Sequence, residues 1–154
     1  MRNLPSLVVF LLVVLGVGTL IARANMPDAW YAGLAKPSFN PSNSVFAPVW
    51  SVLYVMVALA GWRAWHAPAA ARRPLMAAWI VQLVLNFLWS PLFFGAHRIG
   101  LALIDVGLML AAIAAFIVLA LRHRERAAAL LMLPYAAWVS FATVLNAALF
   151  RLNG

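Results

Sequence analysis

The 154-residue chain contains no cysteine, and only 9% of it carries a formal charge. Without thiols there can be no disulfide, iron–sulfur cluster or cysteine nucleophile, and the redox compartment leaves no trace in the sequence. So few charges exclude an ordinary soluble domain, in which about 25% of residues are charged. Acids are the scarcest class, with Asp28, Asp105 and Glu125 standing against eleven Lys and Arg. Enzyme chemistry finds equally little support. There is no nucleophile with a base at hand, no glycine-rich phosphate loop and no cluster of His and carboxylates at metal-ligand spacing, so no metal site is expected. Internal repeats and low-complexity tracts are also missing.

What fills the chain instead is apolar surface, 67% of all residues, which reads as an all-α membrane protein. One bilayer crossing takes roughly 20 apolar residues, so five or six crossings would use almost the whole length. Walking between charges predicts five helices in one domain, at about 4–22, 45–65, 74–95, 99–121 and 127–150. The first could alternatively be a cleaved leader, with Arg2 as its basic start and Ala22-Arg23-Ala24 as a cleavage site, but its apolar region exceeds the usual length. Between the first two helices, residues 25–44 carry Pro27, Pro37, Pro41 and Gly33, which predicts a long loop. The other connections are short and make sequential helices antiparallel neighbours.

The net charge of +8 is dispersed at the ends of apolar runs, which points to topology control and not to nucleic acid. Seven basic residues (Arg2, Arg63, Arg72, Arg73, Arg122, Arg124, Arg126) share the N-terminal face and four (Arg23, Lys36, Arg98, Arg151) the other. The richer face is expected to be cytoplasmic, leaving the long loop and the C-terminus outside.

Within the third helix Trp79, Gln82, Asn86, Trp89 and Phe93 recur every three or four residues and share one face, either as interhelical glue or as a pocket wall. Trp50, Tyr54, Ala58, Gly61 and Trp65 repeat the pattern in the second helix, as do Trp138, Ala142, Leu145 and Leu149 in the fifth, with Ser140, Thr143 and Asn146 offset. Trp30, Trp62 and Trp65 suit a headgroup belt, whereas Trp79 and Trp138 lie too deep for one. Asp105 is the only acid inside a span; a pairing with Arg98 two turns away, or with an amide of the third helix, competes with a ligand or proton role. His66, His97 and His123 fall in loops and read as solvated rather than as haem ligands. Pro91 and Pro134 should kink their helices and open space between them, which suits a flat apolar ligand.

Four strings in order carry a wider likeness: KPSFNPSNSVFAPVWSVLY (Lys36–Tyr54) preceded by AWYAGL, QLVLNFLWSPLFFG (Gln82–Gly95), LALIDV around Asp105, and PYAAWVSFATVLN (Pro134–Asn146). Nearly the whole chain resembles the TspO/MBR family of tryptophan-rich sensory and translocator proteins. The resemblance implies a dimeric bundle of five transmembrane helices whose first loop closes a pocket for porphyrins such as protoporphyrin IX or haem, with no further cofactor. Carried over by position, that pocket comprises Tyr31, Pro41, Trp50, Tyr54, Asn86, Trp89, Trp138 and Ala142; apart from that carry-over, Arg23 or Lys36 near the mouth offers charge for the propionates of a porphyrin. The roles it implies are transport, sensing or regulation of porphyrins in a bacterial cell membrane; the alternatives are oxidative porphyrin breakdown through Trp50 and Trp138, or a scaffold. Phe39-Asn40-Pro41-Ser42 replaces the family's usual W-x-P-P, so a looser loop is expected. Ala147 and Ala148 stand where the animal cholesterol motif needs Tyr, so cholesterol binding is not expected. Small-residue surfaces at Ala77 and Ala78, or at Ala111, Ala112 and Ala115, are expected to join a homodimer.

Overall fold

A computed structural model describes residues 4–154; Arg2, one of the seven residues on the richer face, lies outside the described residues. Five helices are long and apolar enough to cross a membrane: α1 Leu4–Ala24, α2 Asn43–Trp65, α3 Ala69–Gly95, α4 Ile99–Arg122 and α5 Arg126–Asn153. At 1.5 Å per residue even the shortest, of 21 residues, reaches across the roughly 30 Å hydrocarbon layer. Neighbour contacts run α1, α2, α5, α4, α3 around the bundle, with α2 also touching α3 across it. The first helix packs into the bundle. Its Gly18 lies under the Tyr54 ring and its Phe10 meets Trp79 edge-on at 5.2 Å.

The largest boundary difference from the sequence reading lies at the third helix. The third helix starts at Ala69, five residues before Pro74, because Pro68 ends the preceding turn and the Ala-Ala-Ala-Arg-Arg run that follows forms helix readily. Pro74 is tolerated inside α3, as Pro48 is inside α2, each close to its helix's N-terminus. The long loop is not wholly irregular either, since Ala29–Gly33 forms a short helix within it. Asp28 starts that turn by accepting a hydrogen bond from the Tyr31 amide at 3.1 Å.

The prolines act unequally. Pro91 opens a π-helical stretch, Pro91–Gly95, closed by a bond from the Ala96 amide to the Pro91 carbonyl. A proline has no N–H to continue the α-helical ladder, and the wider turn absorbs the defect. Helix α5, by contrast, runs unbroken through Pro134. A second π-helical stretch, Leu12–Val17, lies in α1 without a proline. At the end of α4, Arg124 adopts a left-handed φ of 61°. The Glu125 amide then reaches back to the Ala120 carbonyl and the Arg124 amide to Leu121, a capping pattern that turns the chain into α5.

Close approach of helices relies on small residues facing large rings. Gly61 of α2 packs against the Trp79 indole, whose N–H donates to the Val57 carbonyl at 2.9 Å. Around this contact Leu53, Val57, Leu75, Ile113, Phe116 and Met132 form the main core, while a second cluster around Tyr31, Phe93, Ile99 and Leu149 lies under the long loop.

Candidate ligand site beneath the long loop

The polar stripe of α3 is buried, and most of it is satisfied. Asn86 accepts from the Tyr54 hydroxyl at 3.0 Å and donates to the Tyr135 hydroxyl at 2.8 Å, joining α2, α3 and α5 at one level. Tyr135 in turn donates towards the Met109 sulfur of α4 at 3.3 Å. One turn further along, the Trp89 indole donates to Asn146 at 3.0 Å, and Asn146 donates to the Ile99 carbonyl at 3.0 Å. These bonds fix the rotamers of both asparagines and hold Tyr54 and Trp89 in place. Ser140 and Thr143 bond back to their own helix and tie nothing across the bundle.

On this frame an aromatic wall faces outward. Trp50 packs on Tyr54 with ring centroids 5.3 Å apart and meets Tyr135 edge-on at 6.2 Å. Trp138 meets Phe46 at 6.0 Å and Phe141 at 5.6 Å. Trp50, Tyr54, Trp89, Trp138 and Ala142 all pack against the main core yet keep part of their surface uncovered. Tyr31 and Pro41 lie apart from them, in the loop, where they share a cleft of about 560 Å³ with Asp28, Lys36 and Asn40. The two groups connect through rings: Trp89 stacks on Phe93 at 4.9 Å, and Phe93 meets Tyr31 at 6.1 Å.

Lys36 lines the loop cleft, but its ammonium is committed to the carbonyls of Tyr31, Ala32 and Leu34 at 2.7, 3.2 and 3.2 Å. It caps the short loop helix and lies 4.7 Å from the Tyr31 ring centroid, so its charge stabilises the loop first. Burial pushes the Tyr31 phenol above its usual value of 10.0. The Asp28 carboxyl is held below its usual 3.8, chiefly by the Tyr31 amide and secondarily by the neighbouring His97.

Two sequence expectations are corrected here. Asp105 forms no pair with Arg98: the ion pairs among the described residues are Arg63–Glu125 and His97–Asp28, and the buried Oδ2 of Asp105 has no hydrogen-bond partner. The helix projects Asp105 into the bundle while Arg98, at its very start, stays exposed. His97 is not merely solvated, since its Nε2 lies 3.1 Å from Asp28 and its ring stacks on Trp30 at 4.1 Å.

The loop is tied to the bundle at its C-terminal side. Asn153 exchanges two hydrogen bonds with the backbone of Ala35, each 2.9 Å, and Phe39 meets Phe141 at 6.3 Å. Tyr135, Phe46 and Phe141 belong to the aromatic frame although the sequence reading passed over them. Tyr135 and Phe141 stand three residues either side of Trp138, a spacing that could have placed them beside it. The remaining tryptophans behave as structural groups: Trp62 donates to Ser6 at 3.0 Å, and Trp65 is 48% exposed beneath the Arg72 guanidinium.

Comparison with known proteins places this architecture. The model of the TspO/MBR family matches residues 7–152. The chain is 37% identical over 153 residues to the tryptophan-rich protein TspO of Archaeoglobus fulgidus, covering 98% of this chain and 99% of the relative. It is 37% identical over 127 residues to the human translocator protein, covering 80% and 75% of the two chains. The tryptophan-rich sensory protein of Cereibacter sphaeroides is likewise 37% identical over 127 residues, with 82% and 78% covered.

Proposed function

The chain belongs to the TspO/MBR family of membrane proteins, and from that premise we propose that it binds a tetrapyrrole such as protoporphyrin IX or haem and acts in the transport, sensing or regulation of porphyrins. The observation that carries this reading is the aromatic wall. Trp50, Tyr54, Trp138 and Ala142 keep surface uncovered although each is anchored from behind by the core. A macrocycle offers a broad apolar face to such rings, and stacking there adds to the area buried. Asn86 holds Tyr54 and Asn146 holds Trp89 from behind, so these two rings lose little side-chain entropy on binding. The three histidines all lie at helix ends, so the macrocycle is held by its face and not through an iron ligand.

In a bacterial cell membrane the basic-rich face would be cytoplasmic, placing the long loop and the recess outside. Ala111 and Ala115 are exposed on α4 and Ala77 on α3, and either small-residue face can meet a second copy closely.

The test is an absorbance and Trp-quenching titration of the purified protein with protoporphyrin IX and haem. Removing a desolvated aromatic anchor typically costs about 2 kcal/mol or more, and about 1.4 kcal/mol is tenfold in affinity. Trp138→Ala is therefore expected to weaken binding roughly thirtyfold. Trp62→Ala, at the opposite end of α2 where the indole bonds Ser6, is expected to leave binding unchanged. Thermal stability of both variants without ligand separates pocket loss from loosening of the bundle. Equal affinity in wild type and a well-folded Trp138→Ala would remove the reading.

A further inference from the structure

The long loop touches the α3–α4 turn at one charged point. His97 Nε2 lies 3.1 Å from Asp28 Oδ2, and the two side chains are 39% and 46% exposed, open to protons from the surrounding solution. The imidazole also stacks on Trp30 with centroids 4.1 Å apart and planes 17° from parallel. Trp30 in turn meets Phe93 edge-on at 5.8 Å, inside the cluster beneath the loop. Asp28 uses its other oxygen to cap the short helix Ala29–Gly33. A pull on this one carboxylate is thereby passed to the whole segment that carries Tyr31.

His97 holds a left-handed φ of 55°, a conformation uncommon for a residue with a side chain. The turn is kept in that shape while its imidazole meets both loop residues at once.

We propose that the long loop is a lid whose fastening to the α3–α4 turn is governed by the charge on His97, closed when the imidazole is protonated and loosened when it is neutral. This rests on the reading of the wall beneath as a ligand site, and it adds the regulation of that site. The sign follows from both contacts. A protonated ring makes an ion pair with Asp28 and a cation–π contact with Trp30, and the neutral ring keeps only a weaker hydrogen bond and a stack. The charged groups around this contact are Asp28 itself, Lys36 in the cleft that Asp28 lines, and Arg98, which lines a second cleft together with His97. Among side-chain types, imidazole is the one whose charge ordinarily changes between about pH 5 and 8.

Because the chain has no cysteine, Ala32→Cys in the intact protein accepts a single spin label on the exposed side of the loop helix. In lipid nanodiscs without ligand, the mobile fraction of that label is expected to rise about two- to fivefold between pH 5.5 and pH 8, the range of an exposed ion pair. Asp28→Asn keeps a capping oxygen for the Tyr31 amide and removes the charge. His97→Asn keeps a residue that tolerates the left-handed turn and removes the imidazole. Both are expected to stay at the mobile end at every pH. A wild-type label that does not change with pH, or one that titrates equally in both variants, overturns the proposal. Protoporphyrin IX release is measured in parallel and is expected to quicken as the label loosens. A label that titrates as stated while no porphyrin binds at all upholds the lid and rejects the ligand reading.

Discussion

A methyl group added at Gly61 would overlap the Trp79 indole around its Cε2 and Nε1 atoms. That indole cannot step aside freely, because its N–H is bonded to the Val57 carbonyl and its face meets Phe10. Overpacking a well-filled core typically costs about 1–3 kcal/mol, so Gly61→Ala should lower the thermal unfolding temperature of the purified protein measurably. Gly107, where an added Cβ meets nothing within 4 Å, provides the control, and Gly107→Ala should unfold like the wild type. The same scale of detail separates the tryptophans by duty. Trp79 is a core residue, Trp62 a clasp between α1 and α2, and Trp50 and Trp138 present faces that the core leaves uncovered.

At the scale of single elements, the short helix Ala29–Gly33 depends on one carboxylate. Hydrogen bonding from the Tyr31 amide, and then the His97 charge, hold the Asp28 carboxyl below its usual 3.8. A depressed carboxylate contributes stability that is present above the unfolded value and lost as pH falls through the folded one. The loop helix should therefore keep its cap down to about pH 4 and lose it only below 3.8. Carboxyl NMR of Asp28, read beside the amide shift of Tyr31, checks this; a Tyr31 shift that moves near pH 5 would contradict it. The elements themselves were largely legible, since each apolar run between charges became one helix. The loop helix was not, because five residues leave too little periodicity to detect and its start depends on a single Asp–amide contact. The unequal behaviour of Pro91 and Pro134 was equally hidden: both lack an N–H, and only the surroundings decide whether a helix widens there. For the site, spacing alone put Asn86, Trp89 and Phe93 on one buried face of α3. It could not foresee that Asn86 finds Tyr54 and Tyr135 on two other helices, because a side-chain partner across the bundle leaves no mark at a fixed separation.

For the molecule as a whole, five crossings put the ends of the described chain on opposite faces, and the count of Lys and Arg gives the expected orientation. A reporter fused at the C-terminus should be external and one inserted near Glu125 cytoplasmic. Reversed signals would invert the orientation without disturbing the bundle. The order α1, α2, α5, α4, α3 around the ring carries a separate consequence for how the protein is made. Helix α2 emerges early yet leans on α5, which is made three helices later, and the Asn86 amide of α3 also waits for Tyr135 of α5. A nascent chain with four helices inserted therefore holds an amide in hydrocarbon without its principal acceptor, a state that costs free energy until α5 arrives. Helix α5 thus acts as the closing stave of the barrel. Before it arrives, the Asn86 amide N–H has only the Met109 sulfur to turn to, at 3.7 Å.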